Sequence, residues 1–229
     1  PVDRSGHISD GGAFAEPADL ATCMWANNET GAIQPIEELA SLAQQSGIPM
    51  HVDAVQVAGK LPINFAELGI TTLAASAHKF RGLRPGTVDV ASASALAAAL
   101  EESIAESAAE GERIAGLRNK LRDGILSSID NVVVNSTEPC LPSHLHVFFP
   151  GTDGDSLIML LDSLQIEAST GSACSAGVNR MSHVLSAMGV SEDEGIGSLR
   201  FTLGRLTSED DVDYVLAHLP DVVARARTV

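Results

Sequence analysis

The stretch His51-Val52-Asp53-Ala54-Val55-Gln56 combines apolar residues with one carboxylate and one amide. It lies within residues 49–57, a short apolar run that predicts a buried strand with a carboxylate near its end. Upstream, residues 35–45 predict a helix, because proline stands at its start and glycine lies just past its end. Residues 18–26 and 71–75 predict two more strands. Strands that alternate with a helix in this way predict an α/β fold with a parallel-rich sheet.

Polar residues lie at or near the ends of all three predicted strands. Asn28 follows the first strand, Asp53 lies in the second, and Lys79 comes shortly after the third. Ligands of open α/β sheets bind at the carboxyl ends of the strands. We therefore expect these three residues to mark a ligand site.

The pattern changes from about residue 88. Residues 88–110 and 112–129 predict two long helices, the second with isoleucine and leucine at helical spacing. Shorter elements follow: predicted strands at 132–135, 145–149 and 198–203, and predicted helices at 156–164, 183–188 and 209–225. Ser208 and Asp211 predict a capping box at the last helix. We expect residues 1–105 to form a partial large domain and residues 106–229 a smaller α+β domain.

The composition excludes several classes of protein. Hydrophobic residues make up 45% of the 229 residues, too many for a disordered chain. The net charge of −16 argues against nucleic acid as a direct partner. No apolar run is long enough to span a bilayer and the first residues do not resemble a signal peptide, so we expect a cytoplasmic protein without membrane contact. The three widely spaced cysteines form no zinc pattern, which predicts no metal site. Their odd number, in a chain without an export signal, predicts reduced thiols.

Lys79 and Asp53 together suggest a pyridoxal phosphate (PLP) enzyme. A lysine after an apolar strand can be desolvated enough for its amine to form a Schiff base. A buried carboxylate needs a partner, and the protonated nitrogen of a pyridine ring is one. Gln56, three residues on, could bond the phenolic oxygen of the same ring. The alternatives are a surface lysine at a strand end and an aspartate that caps a turn.

Cys174 and Arg200 supply the remaining chemistry. Residues 169–177 are all small, so this segment packs little and presents the thiol of Cys174. The alternative is a turn with an incidental cysteine, while Cys23 and Cys140 read as structural. Arg200 lies in an apolar strand and needs a partner, which could be a substrate carboxylate held by two hydrogen bonds or an internal salt bridge.

Taken in order along the chain, these segments resemble the cysteine desulfurases, in the class V aminotransferase group of fold-type I PLP enzymes. The Thr170-to-Cys174 form of the cysteine loop resembles the housekeeping type that serves iron–sulfur cluster assembly. The stretches that carry the resemblance are residues 24–31, 51–56 with 59–62, 76–79, 84–87, 169–174 with 183–185, and 198–205.

The resemblance implies a role for each candidate residue. Lys79 would bind PLP covalently and shuttle a proton, with Asp53 at the pyridine nitrogen and Gln56 at the ring oxygen. Ser76 and His78 would bind the phosphate. Thr87 would reach a phosphate in the neighbouring subunit of a homodimer. Asn28 and Arg200 would hold the carboxylate of L-cysteine, and Asn28 would also contact the cofactor.

Cys174 would accept the sulfur of L-cysteine as a persulfide, release alanine, and deliver the sulfur to an acceptor or scaffold protein. Compared with the family pattern, the chain lacks the N-terminal part that carries the phosphate-binding turn and the ring-stacking histidine. It is also shorter directly after Phe80. The alternatives are a selenocysteine lyase, a desulfurase dedicated to tRNA or DNA modification, and a non-catalytic remnant of the fold.

Overall fold

The computed structural model describes residues 1–76, 90–170, 182–191 and 195–228. The chain divides into two compact units. One unit comprises residues Ile8–Asn27 and Ile33–Gly111, and we call it the parallel-sheet unit. The other comprises Pro1–His7, Asn28–Ala32 and Glu112–Val229, and we call it the antiparallel-sheet unit. The domain boundary that the sequence predicts near residue 105 stays a prediction.

The parallel-sheet unit contains the α/β arrangement predicted from the sequence. Its sheet has the order β1-β2-β3, and both pairs of neighbouring strands are parallel. The helix α1 buries one face, made of Ile36, Leu39, Ala40 and Ala43. The elements are a 3-10 turn at Gly12–Ala15, β1 at Ala21–Met24, α1 at Ile36–Gln45, β2 at Met50–Asp53 and β3 at Thr72–Ala74.

One long helix, α2, extends over Val90–Ser128, where the sequence predicted two helices separated at Gly111. That separation is wrong. A glycine inside a helix costs only about 1 kcal/mol relative to alanine, and the alanine-rich residues on both sides are strong helix formers. Proline would have broken the helix at this point, and residues 90–128 contain none.

The antiparallel-sheet unit packs helices against one face of a sheet with the order β4-β5-β6. Its core contains the residues predicted at helical spacing on α2, namely Ile114, Leu117, Leu121 and Ile125. The last helix begins with the predicted capping box between Ser208 and Asp211. The elements are β4 at Val133–Val134, β5 at His144–Phe148, α3 at Gly154–Asp162, α4 at His183–Ala187, β6 at Ser198–Thr202 and α5 at Glu209–Ala226.

The two faces of the second sheet differ in chemistry. Leu145 and Val147 of β5 and Leu199 of β6 point into the apolar core, which also holds α2, α3 and α5 side chains. The alternate residues, among them His144, His146 and Ser198, are buried as well although they are polar. Because side chains alternate along a strand, these polar groups share the opposite face. Within the part of the chain that the structure describes, we find no helix long and apolar enough to cross a membrane.

Candidate functional site

Asp53 and Ser76 lie at one edge of the parallel sheet. Asp53 is the last residue of β2 and pairs in register with Ala74, the last residue of β3. Ser76 comes two residues after that end. Gln56 lies in the turn that follows β2 and, like Asp53 and Ser76, is half-buried. The structure thus brings together three of the four described residues that the sequence assigned to one cofactor; the fourth, Asn28, belongs to the antiparallel-sheet unit.

The carboxylate of Asp53 accepts one hydrogen bond from the described part of the chain. Its Oδ1 accepts a hydrogen bond from the backbone N–H of Val55 at 2.9 Å, so Asp53 does cap the turn, as the alternative interpretation held. Among the described residues, none donates to Oδ2. A carboxylate fixed in this way, with a hydroxyl and an amide at the same sheet edge, fits a protonated pyridine ring with a phosphate substituent.

A row of four polar residues crosses the antiparallel sheet. The strand register places His146 opposite Arg200, and the backbone N–H of Asn135 donates to the carbonyl of His146 at 2.9 Å. On the other edge of β6, Arg200 exchanges backbone hydrogen bonds with Ser169 at 2.6 and 3.1 Å. We call Asn135, His146, Arg200 and Ser169 the cross-sheet row.

The segment Asn28–Ala32, which we call the bracing segment, contacts this part of the antiparallel-sheet unit. Arg200 Nη1 donates to the carbonyl of Asn28 at 2.9 Å. Ser136 Oγ donates to the carbonyl of Thr30 at 2.7 Å, and the backbone N–H of Leu141 donates to Gly31. The structure therefore joins Asn28 and Arg200, the two residues assigned to a carboxylate from the sequence.

Arg200 is a half-buried cation with a carboxylate nearby. Burial lowers the pKa of its guanidinium, and the charge of Glu29, which is itself buried, opposes this shift. An arginine remains protonated in proteins at any physiological pH. A partly desolvated cation of this kind attracts an anion more strongly than an exposed one does, because water screens it less. Arg200 could serve both an internal salt bridge and a substrate carboxylate, because its five N–H groups can be shared between internal partners and an anion.

Gly31 fixes the close approach of the bracing segment to β5. Its φ of +80° lies in the left-handed region, and a Cβ atom there would lie 2.8 Å from Cβ of His144. We expect Gly31→Ala to lower the free energy of unfolding by about 3 kcal/mol, from backbone strain and overpacking together. Urea unfolding measures this.

Gly189→Ala in the same unit is the matched control. Gly189 has φ of +76°, but no atom lies within 4 Å of the position of its Cβ. In this variant, backbone strain alone should lower the free energy of unfolding, by about 1 kcal/mol. Equal losses in the two variants would contradict a steric role for Gly31.

Cys23 and Cys140 are free thiols in buried positions, in agreement with the structural role predicted for them. Burial raises the pKa of Cys23 to about 11. Burial also raises the pKa of Cys140, although the guanidinium of Arg118, with Nη1 at 2.8 Å from Sγ, opposes the shift. Since the thiolate is the nucleophile, both thiols are poorly reactive at neutral pH.

Four candidate residues, Lys79, His78, Thr87 and Cys174, lie outside the described residues.

The structure also reveals polar groups that sequence reasoning missed, above all His146 and Asn135. A signal for His146 was present, because His146 lies between apolar residues in the strand predicted at 145–149, as Arg200 does in its own strand. The signal for Asn135 was only its position at a strand end.

Comparison with known proteins gives the family. The model of the family described as aminotransferase class-V matches residues 11–84 and 81–215. The chain belongs to the class-V aminotransferase family. Proteins of this family use PLP, and the fold is the fold type I of PLP-dependent transferases, as the structural neighbours confirm.

Two similar curated proteins are named cysteine desulfurases. The chain is 41% identical over 237 residues to an IscS-like cysteine desulfurase of Mycobacterium tuberculosis, covering 91% of this chain and 60% of that protein. It is 33% identical to the cysteine desulfurase NifS of Azotobacter vinelandii, covering 100% of this chain and 65% of NifS. A solved NifS-like protein superposes with a TM-score of 0.85 at 29% identity, covering 98% of this chain and 67% of the other.

The chain spans about 60 to 65% of the length of these curated relatives. It is also shorter within the aligned region, since the alignment with NifS is 260 residues long and the whole chain has 229. The two segments of the family match meet at residues 81–84. This agrees with the sequence prediction that a stretch present in the family is missing after Phe80.

Proposed function

We propose that this chain acts as a PLP-dependent cysteine desulfurase, which removes sulfur from L-cysteine and leaves L-alanine. The observation that carries the proposal is the position of Arg200. Its guanidinium meets the carbonyl of Asn28, and its backbone pairs with Ser169 at the start of the segment that leads to Cys174. Arg200 thus pairs with the residue five positions before Cys174, the candidate nucleophile, in a chain whose relatives include proteins named cysteine desulfurases.

The proposed cofactor residues divide by chemistry. Asp53 would pair with the pyridine nitrogen, and Gln56 with the ring oxygen. Ser76 and His78 would donate to the phosphate, and Thr87 would donate to a phosphate of a second subunit in a homodimer. When bound, PLP would supply an electron sink for the carbon atoms of the substrate.

Two of the proposed residues would bind the substrate, L-cysteine, and two would react with it. Arg200 and Asn28 would orient the α-carboxylate of L-cysteine, and the amine of Lys79 would hold the cofactor and carry a proton to and from the substrate. The thiolate of Cys174 would attack the sulfur of the bound cysteine. An S–S bond forms while the C–S bond breaks, the carbon keeps the electron pair, and protonation of that carbon gives alanine.

The test is product stoichiometry with the full chain, loaded with PLP and given L-cysteine. With a dithiol reductant present, we expect alanine and sulfide in equal amounts; without it, we expect one extra sulfur atom on a cysteine by intact mass. Selenocysteine in place of cysteine separates a lyase specific for selenium from a desulfurase. Absence of alanine with a loaded cofactor would contradict the proposal.

A non-catalytic protein of the same fold is the second candidate. The observation that favours it is the shorter region after Phe80, directly beside Lys79. An intact mass equal to 23.8 kDa after borohydride treatment, with no cofactor adduct, would support it.

Several finer points stay proposals of the same kind. We propose delivery of the sulfur to an acceptor or scaffold protein for iron–sulfur cluster assembly, a cytoplasmic location, and a small domain over residues 106–229 that carries the cysteine loop. A desulfurase dedicated to tRNA or DNA modification would share the same residues and differ only in the acceptor.

A further inference from the structure

His146 has no role in the chemistry proposed above, yet it is fully buried, at 0% exposure. Its Nδ1 lies 3.1 Å from Nδ2 of Asn135. An asparagine amide nitrogen carries only hydrogens, so Nδ1 must accept this hydrogen bond and cannot itself bear a proton. The ring is therefore neutral, with its proton on Nε2.

The backbone pattern brings His146 close to Arg200. The N–H of His146 donates to Ser136 Oγ and its carbonyl accepts from Asn135, whereas Arg200 uses both backbone groups with Ser169. His146 and Arg200 thus face each other as a pair without hydrogen bonds between them. In such pairs the Cα atoms are about 4.5 Å apart and the side chains are in closest contact.

The charges around His146 agree with a neutral ring. Among the described residues, the titratable groups at this face are Arg200 on β6, His144 on β5 itself, and Glu29 on the bracing segment, whose charge acts on Arg200. Burial, and then the charge of Arg200, lower the pKa of His146 to about 4. A protonated ring would place a second cation beside Arg200 and turn an N–H towards the amide of Asn135.

We propose that His146 is a positioning residue for Arg200: its neutral side chain, fixed by the hydrogen bond from Asn135, stays beside the guanidinium and keeps it directed to a substrate carboxylate. This inference rests on the proposed role of Arg200. Without an acceptor for Asn135 at this position, no fixed side chain would stand beside the guanidinium, and Arg200 would turn away from its contact with Asn28. Among the described residues, Nε2 of His146 has no hydrogen-bond partner, so the bond from Asn135 to Nδ1 is what fixes the ring.

The first test observes Arg200 without any ligand. In ¹⁵N spectra of the full chain, we expect the Nε–H signal of Arg200 to shift on acidification with the same midpoint as the ring of His146, near 4. We expect His146→Leu to broaden that signal. His146→Asn should preserve it, because the asparagine oxygen accepts from Asn135 and cannot be protonated.

The second test measures binding of 3-mercaptopropionate, which is cysteine without the amine, by calorimetry. We expect His146→Leu to weaken binding about tenfold and His146→Asn to weaken it less than about threefold. In the background of Arg200→Lys, His146→Leu should have no further effect, because the two residues act as one unit. Propanethiol, which lacks the carboxylate, is the control ligand.

The outcomes distinguish the positioning role of His146 from the proposed function, in which Arg200 binds the substrate carboxylate. The positioning role would be overturned if the Arg200 signal changed neither on acidification nor in His146→Leu. It would also be overturned if the effects of His146→Leu and Arg200→Lys on binding of 3-mercaptopropionate were additive. The acid titration uses the wild type, so it decides the matter even if His146→Leu does not fold. If the wild type fails to bind 3-mercaptopropionate, the assignment of Arg200 is wrong and the proposed function with it; the Arg200 signal then decides the role of His146 alone.

Discussion

Cys174→Ser is expected to abolish the release of sulfide from L-cysteine while the PLP-loaded protein keeps its colour. A serine oxygen is a weak nucleophile at neutral pH, whereas a thiol with a pKa near 8.5 is partly ionised and accepts sulfur as a persulfide. The loss should exceed about a thousandfold, the scale seen when a covalent nucleophile is removed. Sulfide and alanine assays, with the visible spectrum recorded in parallel, measure the two properties separately.

Cys23→Ala is the matched control for that experiment. Cys23 is buried in β1, and its raised pKa keeps it protonated at neutral pH. Its removal should leave the rate of sulfide release unchanged within experimental error. Sulfide release that survives in Cys174→Ser, or that disappears in Cys23→Ala with the fold intact, would contradict the assignment of the nucleophile.

Lys79→Ala is expected to eliminate covalent attachment of PLP altogether. Only an amine can form a Schiff base with the aldehyde of the cofactor, and reduction with borohydride makes that bond permanent. In the wild type, we expect reduction to add one cofactor mass, located on Lys79 by peptide mapping. In the variant, we expect the mass of the chain alone and a spectrum without cofactor after dialysis.

Lys120→Ala controls for unspecific reaction with lysines. Lys120 lies on α2 and forms ion pairs with Asp213 at 2.7 Å and Glu209 at 3.7 Å. Surface ion pairs of this kind contribute at most about 1 kcal/mol, so the variant should fold and keep its adduct. An adduct that persists in Lys79→Ala, or moves to another lysine, would show that Lys79 is not the Schiff-base residue.

Much of the fold could be predicted because its signals are local. The sequence placed α1 at residues 35–45 and the structure has Ile36–Gln45; it placed the last helix at 209–225 and the structure has Glu209–Ala226. Proline, glycine and capping residues set these ends through hydrogen bonds and sterics within one turn. The predicted break at Gly111 was wrong because glycine weakens a helix without ending it.

The candidate site could be predicted only in part. The strand that carries Asp53 followed from the sequence, although β2 ends at Asp53 and not at residue 57 as predicted. The contact between Arg200 and Asn28 did not, because 172 residues separate them and the contact depends on how distant segments meet. The resemblance to a family named both residues without giving their geometry.

Periodicity and capping residues predict most of the helices and strands, their apolar faces, and the residue types able to hold a cofactor and a carboxylate. That Asn135, His146, Arg200 and Ser169 form one row follows from the folded structure alone. The reason is physical: periodicity along a strand assigns each side chain to a face, but the register between strands fixes its neighbours. That register arises from packing of the whole core, which no single stretch of the sequence contains.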